Sequence, residues 1–289
     1  MLRNGYKSVL LLVISLLMGA CAGPQVQPTP TQKPAKIAIV LGAGAAKGFA
    51  HIGVLKVLEA QKVPINMIVG TSVGSFVGSL YAYGYDAYEL QKIAMSLERG
   101  ELAELTIPDK GFLKGERLRD FVNAKVKGTP MEKLKIPLYV VATNIKTGEE
   151  AVFASGNTGM AVQASSAIPG VFQPASFSGK SYVDGGVVNP LAIDIARRYG
   201  ADMVIAVDIT TGIDQTVPTG TMETIMKSID IMYNKISQLT LGKADVVIKP
   251  KVGFVGAADF SRRNEAIMEG ERAAMAAMPR INELLGRQR

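Results

Sequence analysis

The sequence predicts an α/β fold: a mostly parallel central sheet covered by helices on both faces, within one domain over residues 36–289. Three observations predict it. Short apolar, β-branched runs recur along the chain and are separated by stretches with helical spacing, as in parallel sheets built with crossover helices. The first run ends in a glycine-rich turn that leads straight into a helix. No internal repeat and no second linker interrupts the chain after residue 36.

The elements follow in order. Residues 37–41 (IAIVL) form the first strand. The stretch after the glycines places Phe49, Ile52, Leu55 and Leu58 close to one helical face. Residues 67–69 form a second strand and 73–83 a second helix of small and apolar residues. Residues 115–126 read as a helix and 138–143 as a third strand. Residues 181–183 form a strand that leads into Asp184-Gly185-Gly186. Residues 203–208 (MVIAVD) have the continuous apolar character of a strand buried on both faces, and 246–248 are similar. Helices are expected at 193–199, 221–241 and 264–285. In 221–241, Met222, Ile225, Met226, Ile229, Met232, Ile236 and Leu239 recur at helical spacing. That stripe reads as a core face or as an adaptable wall for an acyl chain.

Composition excludes several classes. The 289 residues are 48% hydrophobic and 20% charged, too apolar for a disordered chain and enough for a large core. One Cys and one His exclude an internal disulfide and a zinc site of the usual Cys/His type. The net charge of +7 shows no basic stripe with interleaved aromatics, so no nucleic-acid partner is expected.

Residues 1–20 read as a signal peptide of lipoprotein type. Arg3 and Lys7 precede an apolar run at 9–18 that is too short to span a bilayer. Gly19 and Ala20 then precede Cys21, as in a bacterial lipobox, where Cys21 is diacylated and becomes the mature N-terminus. A plain secretory signal is the alternative, since Met18 stands where a lipobox usually has Leu. Ala22 is not the Asp that holds lipoproteins at the inner membrane. The expected place is the bacterial cell envelope, lipid-anchored at the outer membrane and facing the periplasm. Residues 21–35 comprise Cys21 and a linker carrying four prolines, stiffened toward polyproline II.

Three segments carry chemistry. Gly70-Thr71-Ser72-Val73-Gly74 is a G-x-S-x-G pentapeptide between a strand and a helix, the setting of a nucleophile elbow. A helix N-cap is the plainer role for Ser72. Residues 42–48 (GAGAAKG) lack the third glycine of a dinucleotide loop, because Lys47 stands there, and have no G-K-[ST]. An oxyanion-binding loop fits better beside a nucleophilic serine. The base has two candidates. His51 lies among apolar neighbours and reads as a packed residue. Asp184 reads equally as a general base or as an Asp-Gly turn.

Four blocks together resemble the patatin-like phospholipase family: residues 40–55 (VLGAGAAKGFAHIGVL), 68–78 (IVGTSVGSFVG), 164–174 (ASSAIPGVFQP) and 183–190 (VDGGVVNP). The similarity runs from about Lys36 to the C-terminus and is nearest to bacterial members with lipoprotein signals. The resemblance implies a Ser–Asp dyad, with Ser72 as nucleophile and Asp184 as base. It implies oxyanion amides from Ala43, Gly44 and Ala45, with Lys47 as the basic residue of that loop. The family loop is commonly all glycine, and alanine at 43 and 45 resists positive φ. It further implies a membrane-anchored lipid acyl hydrolase that works through an acyl-enzyme and takes a lipid or other acyl ester, with no cofactor and no metal. An acyltransferase or thioesterase could use the same dyad, and a lipid-binding envelope lipoprotein could keep the motifs without turnover.

Overall fold

The computed structural model describes residues 35–102, 104–105, 113–210, 212 and 217–286. The expected signal peptide, Cys21 and nearly all of the proline-rich linker lie outside the described residues. The strands are β1 (Ile37–Leu41), β2 (Met67–Thr71), β3 (Glu104–Leu105), β4 (Leu113–Lys114), β5 (Leu138–Asn144), β6 (Glu150–Phe153), β7 (Ala175–Phe177), β8 (Lys180–Asp184), β9 (Met203–Val207) and β10 (Val246–Ile248). The helices are α1 (Phe49–Ala60), α2 (Val73–Tyr83), α3 (Ala87–Ser96), α4 (Arg99–Leu102), α5 (Glu116–Lys125), α6 (Thr158–Ser165), α7 (Ile193–Arg198), α8 (Thr221–Thr240) and α9 (Arg263–Gly286).

The main sheet runs β10-β9-β1-β2-β5-β8-β7, with β6 also paired to β5. From β10 to β5 every pairing is parallel. Strand side chains alternate between two cores. Ile37, Ile39 and Leu41 of β1 join Ile205 and Val207 of β9 on the face covered by α1, α2 and α9. Ala38 and Val40 join Val204 and Ala206 on the opposite face, under Ile193 and Ile195 of α7. Helices on both faces explain why these strands are apolar at every position.

The far edge departs from the parallel pattern. β6, β7 and β8 are antiparallel to their neighbours. The cause is local. Ser178 and Gly179 join β7 to β8 with φ of 51° and 71°, the two positive values of a tight hairpin turn. A two-residue turn can only join antiparallel strands.

The register of β5 positions the site. Its first half pairs with β2, Thr71 lying opposite Val141. Its second half pairs with β8, Asp184 lying opposite Ala142. Both β2 and β8 overlap β6 in register along β5, so β6 takes one edge and the other two share the opposite edge. They approach each other end to end there. The residue after Thr71 and the last residue of β8 therefore meet at one point.

Candidate active site

Ser72 stands at that point, between β2 and α2. Its backbone has φ 56° and ψ −126°, a conformation that costs a non-glycine residue roughly 1–3 kcal/mol. The neighbouring glycines allow the tight turn. A Cβ on Gly74 would fall 2.0 Å from the Leu41 carbonyl oxygen, and one on Gly70 2.6 Å from the Ser75 Cα. The Ser72 side chain does not cap its helix. Instead its hydroxyl donates to Asp184 Oδ2 at 2.6 Å. The Ser72 N–H donates to Ser165 Oγ at 2.8 Å, and Ser165 donates to the Val141 carbonyl at 2.6 Å. The nucleophile candidate is thus tied to β5 through one buried hydroxyl.

Asp184 does not form a hairpin turn. It ends β8 and precedes a single 3-10 turn, and its Oδ1 accepts from the Gly186 N–H at 2.7 Å. The Ala167 carbonyl accepts its N–H, and its own carbonyl accepts from Thr143. The carboxyl is fully buried, and burial pushes its pKa up from 3.8 to about 6, against the opposing hydrogen bonds of Ser72 and Gly186. It remains mostly ionised at neutral pH and is better matched to accept a proton than an exposed carboxylate.

His51 packs as a neutral residue. Its Nε2–H donates to the Gly42 carbonyl at 2.9 Å, and burial lowers its pKa to about 4. It supports the glycine-rich loop from beneath. The loop itself divides. The Ala43 N–H donates to the Pro190 carbonyl at 2.9 Å and is committed. The N–H groups of Gly44 and Ala45 have no acceptor among the described residues. Ala45 does adopt positive φ, at 49°, the strain that an alanine at this position entails. The Lys47 ammonium is buried and paired with Asp230 of α8 at 2.7 Å. It anchors that helix over the loop.

Ser72 lines a cavity of about 690 Å³. Among its lining side chains only Ser72 and Ser166 are polar. The remainder are apolar, including Phe49, Phe76, Leu80, Leu97, Phe172 and Met226. A cavity of this size falls in the range of small-molecule sites, and its walls suit a hydrocarbon chain. Among the described residues no group of three or more His, Cys, Asp or Glu side chains is placed to hold a metal ion.

The periodic stripe on α8 is corrected in part. Met222 and Met226 line the cavity and Ile229 is buried, but Met232 and Leu239 face solvent at 51% and 81% exposure. The buried row continues through Tyr233 and Ser237 instead. Sequence reasoning missed Ser165, Asp230 and Tyr233. Ser165 lies inside a family-like block and carried a signal. The other two had none, since their roles arise from how α8 is rotated on the sheet.

The patatin-like phospholipase model matches residues 39–197, more than half of the chain. The chain belongs to the patatin-like phospholipase family. Relatives within reach of this family include an uncharacterized NTE family protein of Mycobacterium bovis, 36% identical over 177 residues. That match covers 60% of this chain and 49% of the relative. Lysophospholipase NTE1 of Coccidioides immitis is 30% identical over 236 residues, covering 78% of this chain and 15% of that protein. The chain therefore spans half or less of the length of these relatives. The crystal structure of VipD from Legionella pneumophila shares the fold, with a TM-score of 0.61 at 14% identity over 87% of this chain and 67% of its own. The family match spans the glycine-rich loop, the Ser72 turn and Asp184.

Proposed function

We propose that this protein is a serine lipid acyl hydrolase that works through a Ser72–Asp184 dyad. The observation that carries the reading is the 2.6 Å hydrogen bond from Ser72 to the buried Asp184 carboxyl, with the serine on the wall of an apolar cavity. The family relationship supports a lipid ester as substrate, as does the lysophospholipase name of the fungal relative.

The steps balance without a cofactor. Asp184 takes the Ser72 proton as Oγ attacks the ester carbonyl. The carbonyl oxygen becomes an oxyanion, for which the uncommitted N–H groups of Gly44 and Ala45 are the loop donors. Collapse breaks the ester C–O bond, and Asp184 returns the proton to the leaving alcohol. Water then attacks the acyl-enzyme and gives its proton to the same carboxylate. Collapse breaks the bond between the acyl carbon and Ser72 Oγ, Asp184 returns that proton to Oγ, and the fatty acid leaves. The acyl chain occupies the apolar cavity throughout.

Anchoring belongs to the same proposal. A lipid on Cys21 and a proline-stiffened linker would hold the domain at a membrane, at the outer membrane of a Gram-negative host facing the periplasm. The basis is the sequence alone: a charged start, a short apolar run, and small residues before Cys21.

The test uses the full chain, defined phospholipids, lysophospholipids and simple esters, and a fluorophosphonate probe. Fatty-acid release and labelling, both lost in Ser72→Ala, are expected. Release that survives in Ser72→Ala rejects the reading. Acyl transfer to a lysolipid in preference to water replaces hydrolase with transferase. A Cys21→Ala protein that stays in the membrane fraction rejects the anchor.

A further inference from the structure

Tyr233 belongs to α8, one turn beyond Ile229, and is 4% exposed. Its hydroxyl is buried and has no hydrogen-bond partner at bonding distance among the described residues. Buried hydroxyls are almost always paired, and an unpaired one calls for a physical explanation. Its surroundings supply one. The Tyr233 ring lies against Gly186, where a Cβ would fall 2.3 Å from the ring Cζ. Gly186 is the residue whose N–H holds Asp184 Oδ1. The ring therefore rests on the peptide that clamps the carboxylate. Only glycine admits the ring this closely.

The groups that face the carboxylate can be named element by element. Ser72 faces it from the turn before α2, and Gly186 through its backbone from the turn after β8. Tyr233 approaches it from α8, with its ring Cζ against Gly186. The other charges near that helix turn, Asp230 and Lys47, are paired with each other at 2.7 Å. His51 is turned onto the Gly42 carbonyl. Burial first, then the Asp184 charge, push the Tyr233 phenol well above its ordinary range. It is therefore a protonated donor across the acid limb over which Asp184 ionises.

We propose that Tyr233 is a positioning residue for the general base: its O–H is directed at the Asp184 carboxylate and stabilises the ionised form against burial. The donor matters most in the acyl-enzyme, where Ser72 Oγ carries the acyl group and no longer donates to Oδ2. Tyr233 touches neither substrate nor reacting atoms in this role. It acts through Asp184. The proposal rests on the reading of Ser72 and Asp184 as nucleophile and base.

The test is the pH profile of kcat/KM for a soluble ester, together with the pH dependence of fluorophosphonate labelling, in the wild type and in Tyr233→Phe. The loss of one donor to a carboxylate is worth about one to two pH units. The acid limb in Tyr233→Phe is expected to move upward by that amount, in both measurements, with little change at alkaline pH. Site-specific replacement of Tyr233 by 3-fluorotyrosine keeps the ring and strengthens the donor, so it moves the limb downward. Opposite shifts from these two replacements separate donor strength from packing. An acid limb that stays in place in both variants overturns the proposal. So does a uniform loss of rate at all pH values. Ser72→Ala and Asp184→Asn run beside them: if either retains full activity, the dyad reading itself fails, which is a different result from an unmoved limb.

Discussion

Thr71 and Asp184 end two strands that meet head-on along one edge of β5, Thr71 opposite Val141 and Asp184 opposite Ala142. This one register relationship brings residues 112 positions apart to 2.6 Å at the Ser72 hydroxyl. It sets the first expectation. Asp184→Asn lowers kcat/KM for an ester about a thousandfold, in the range found for loss of a general base. Ser72→Ala removes fluorophosphonate labelling altogether. Circular dichroism establishes that both remain folded, and steady-state kinetics give the loss. Full activity in a folded Asp184→Asn protein rejects the dyad.

The pH dependence of activity follows from the same carboxyl. Burial raises its pKa to about 6, and it must be ionised to accept the Ser72 proton. The rate should therefore fall as pH drops below about 6, tenfold per unit once well below it. An ordinary exposed carboxylate would hold activity to about pH 4. A kcat/KM profile with its acid limb near 4 would contradict the burial-raised pKa of Asp184.

Stability responds to pH in two opposed ways. Asp184 has a native pKa above its ordinary value, so its contribution is fully present below 3.8 and lost as pH rises through about 6. His51 has a native pKa below its ordinary value. Its contribution is present above 6.5 and lost as pH falls through about 4. Each is worth about 3 kcal/mol by linkage, so they nearly cancel between pH 4 and 6.5. Asp184→Asn removes one side of that balance. At pH 7 the variant should melt at least about 4 °C above the wild type. Its melting temperature should then fall more steeply than the wild type's between pH 6.5 and 4. Parallel curves for the two proteins would contradict the burial effects on one or both groups.

Much of this was legible in the sequence, for a physical reason. A strand buried on both faces is apolar at every position, and β1, β2, β9 and β10 carry that mark. β6 and β7 do not. They are short edge elements, EAVF and ASF, whose pairing depends on tight turns, and neither shows a clear period. Ser72 and Asp184 could be named from their glycine settings, whereas their approach depends on β2 and β8 sharing an edge, which no local pattern encodes. α8 shows the limit most clearly. Its methionines marked a stripe that included Met232 and Leu239, yet the helix is rotated so that Tyr233 and Ser237 are buried and those two face water. The choice depended on a partly buried ion pair and a glycine, Lys47–Asp230 and Gly186, both distant in sequence.

The elbow glycines give a stability prediction that is independent of activity. A Cβ on Gly74 would sit 2.0 Å from the Leu41 carbonyl oxygen, and that oxygen belongs to the backbone of a central strand. Neither partner is a flexible side chain, so relief requires α2 to move off the sheet. Gly74→Ala should cost about 3 kcal/mol or more. Gly242→Ala has no atom within 4 Å of the new Cβ and should be close to neutral. Urea denaturation of the two variants measures the contrast, and equal midpoints would argue against the tight packing of the turn.

Lys47 and Asp230 form an asymmetric pair, and the asymmetry is measurable. The lysine side chain is 4% exposed and the aspartate 24%. Asp230→Asn leaves an ammonium buried beneath α8 with no counter-charge, a situation that costs about 3–5 kcal/mol when both partners are fully buried and less here, about 2–3. Lys47→Met takes the buried charge away and leaves a carboxylate that can reach water, at a cost of about 1 kcal/mol or less. The double variant should recover most of what Asp230→Asn loses. Its double-mutant cycle should give a coupling energy of about 2–3 kcal/mol between the two residues. The same variants separate two roles for Lys47. If the ammonium only anchors α8, the double variant retains its KM for an ester. If it also meets substrate, KM rises in Lys47→Met and stays high in the double variant, although stability has returned. Chemical denaturation and initial-rate kinetics on the four proteins give both answers, and additive stability losses would show that the pair is not coupled in solution.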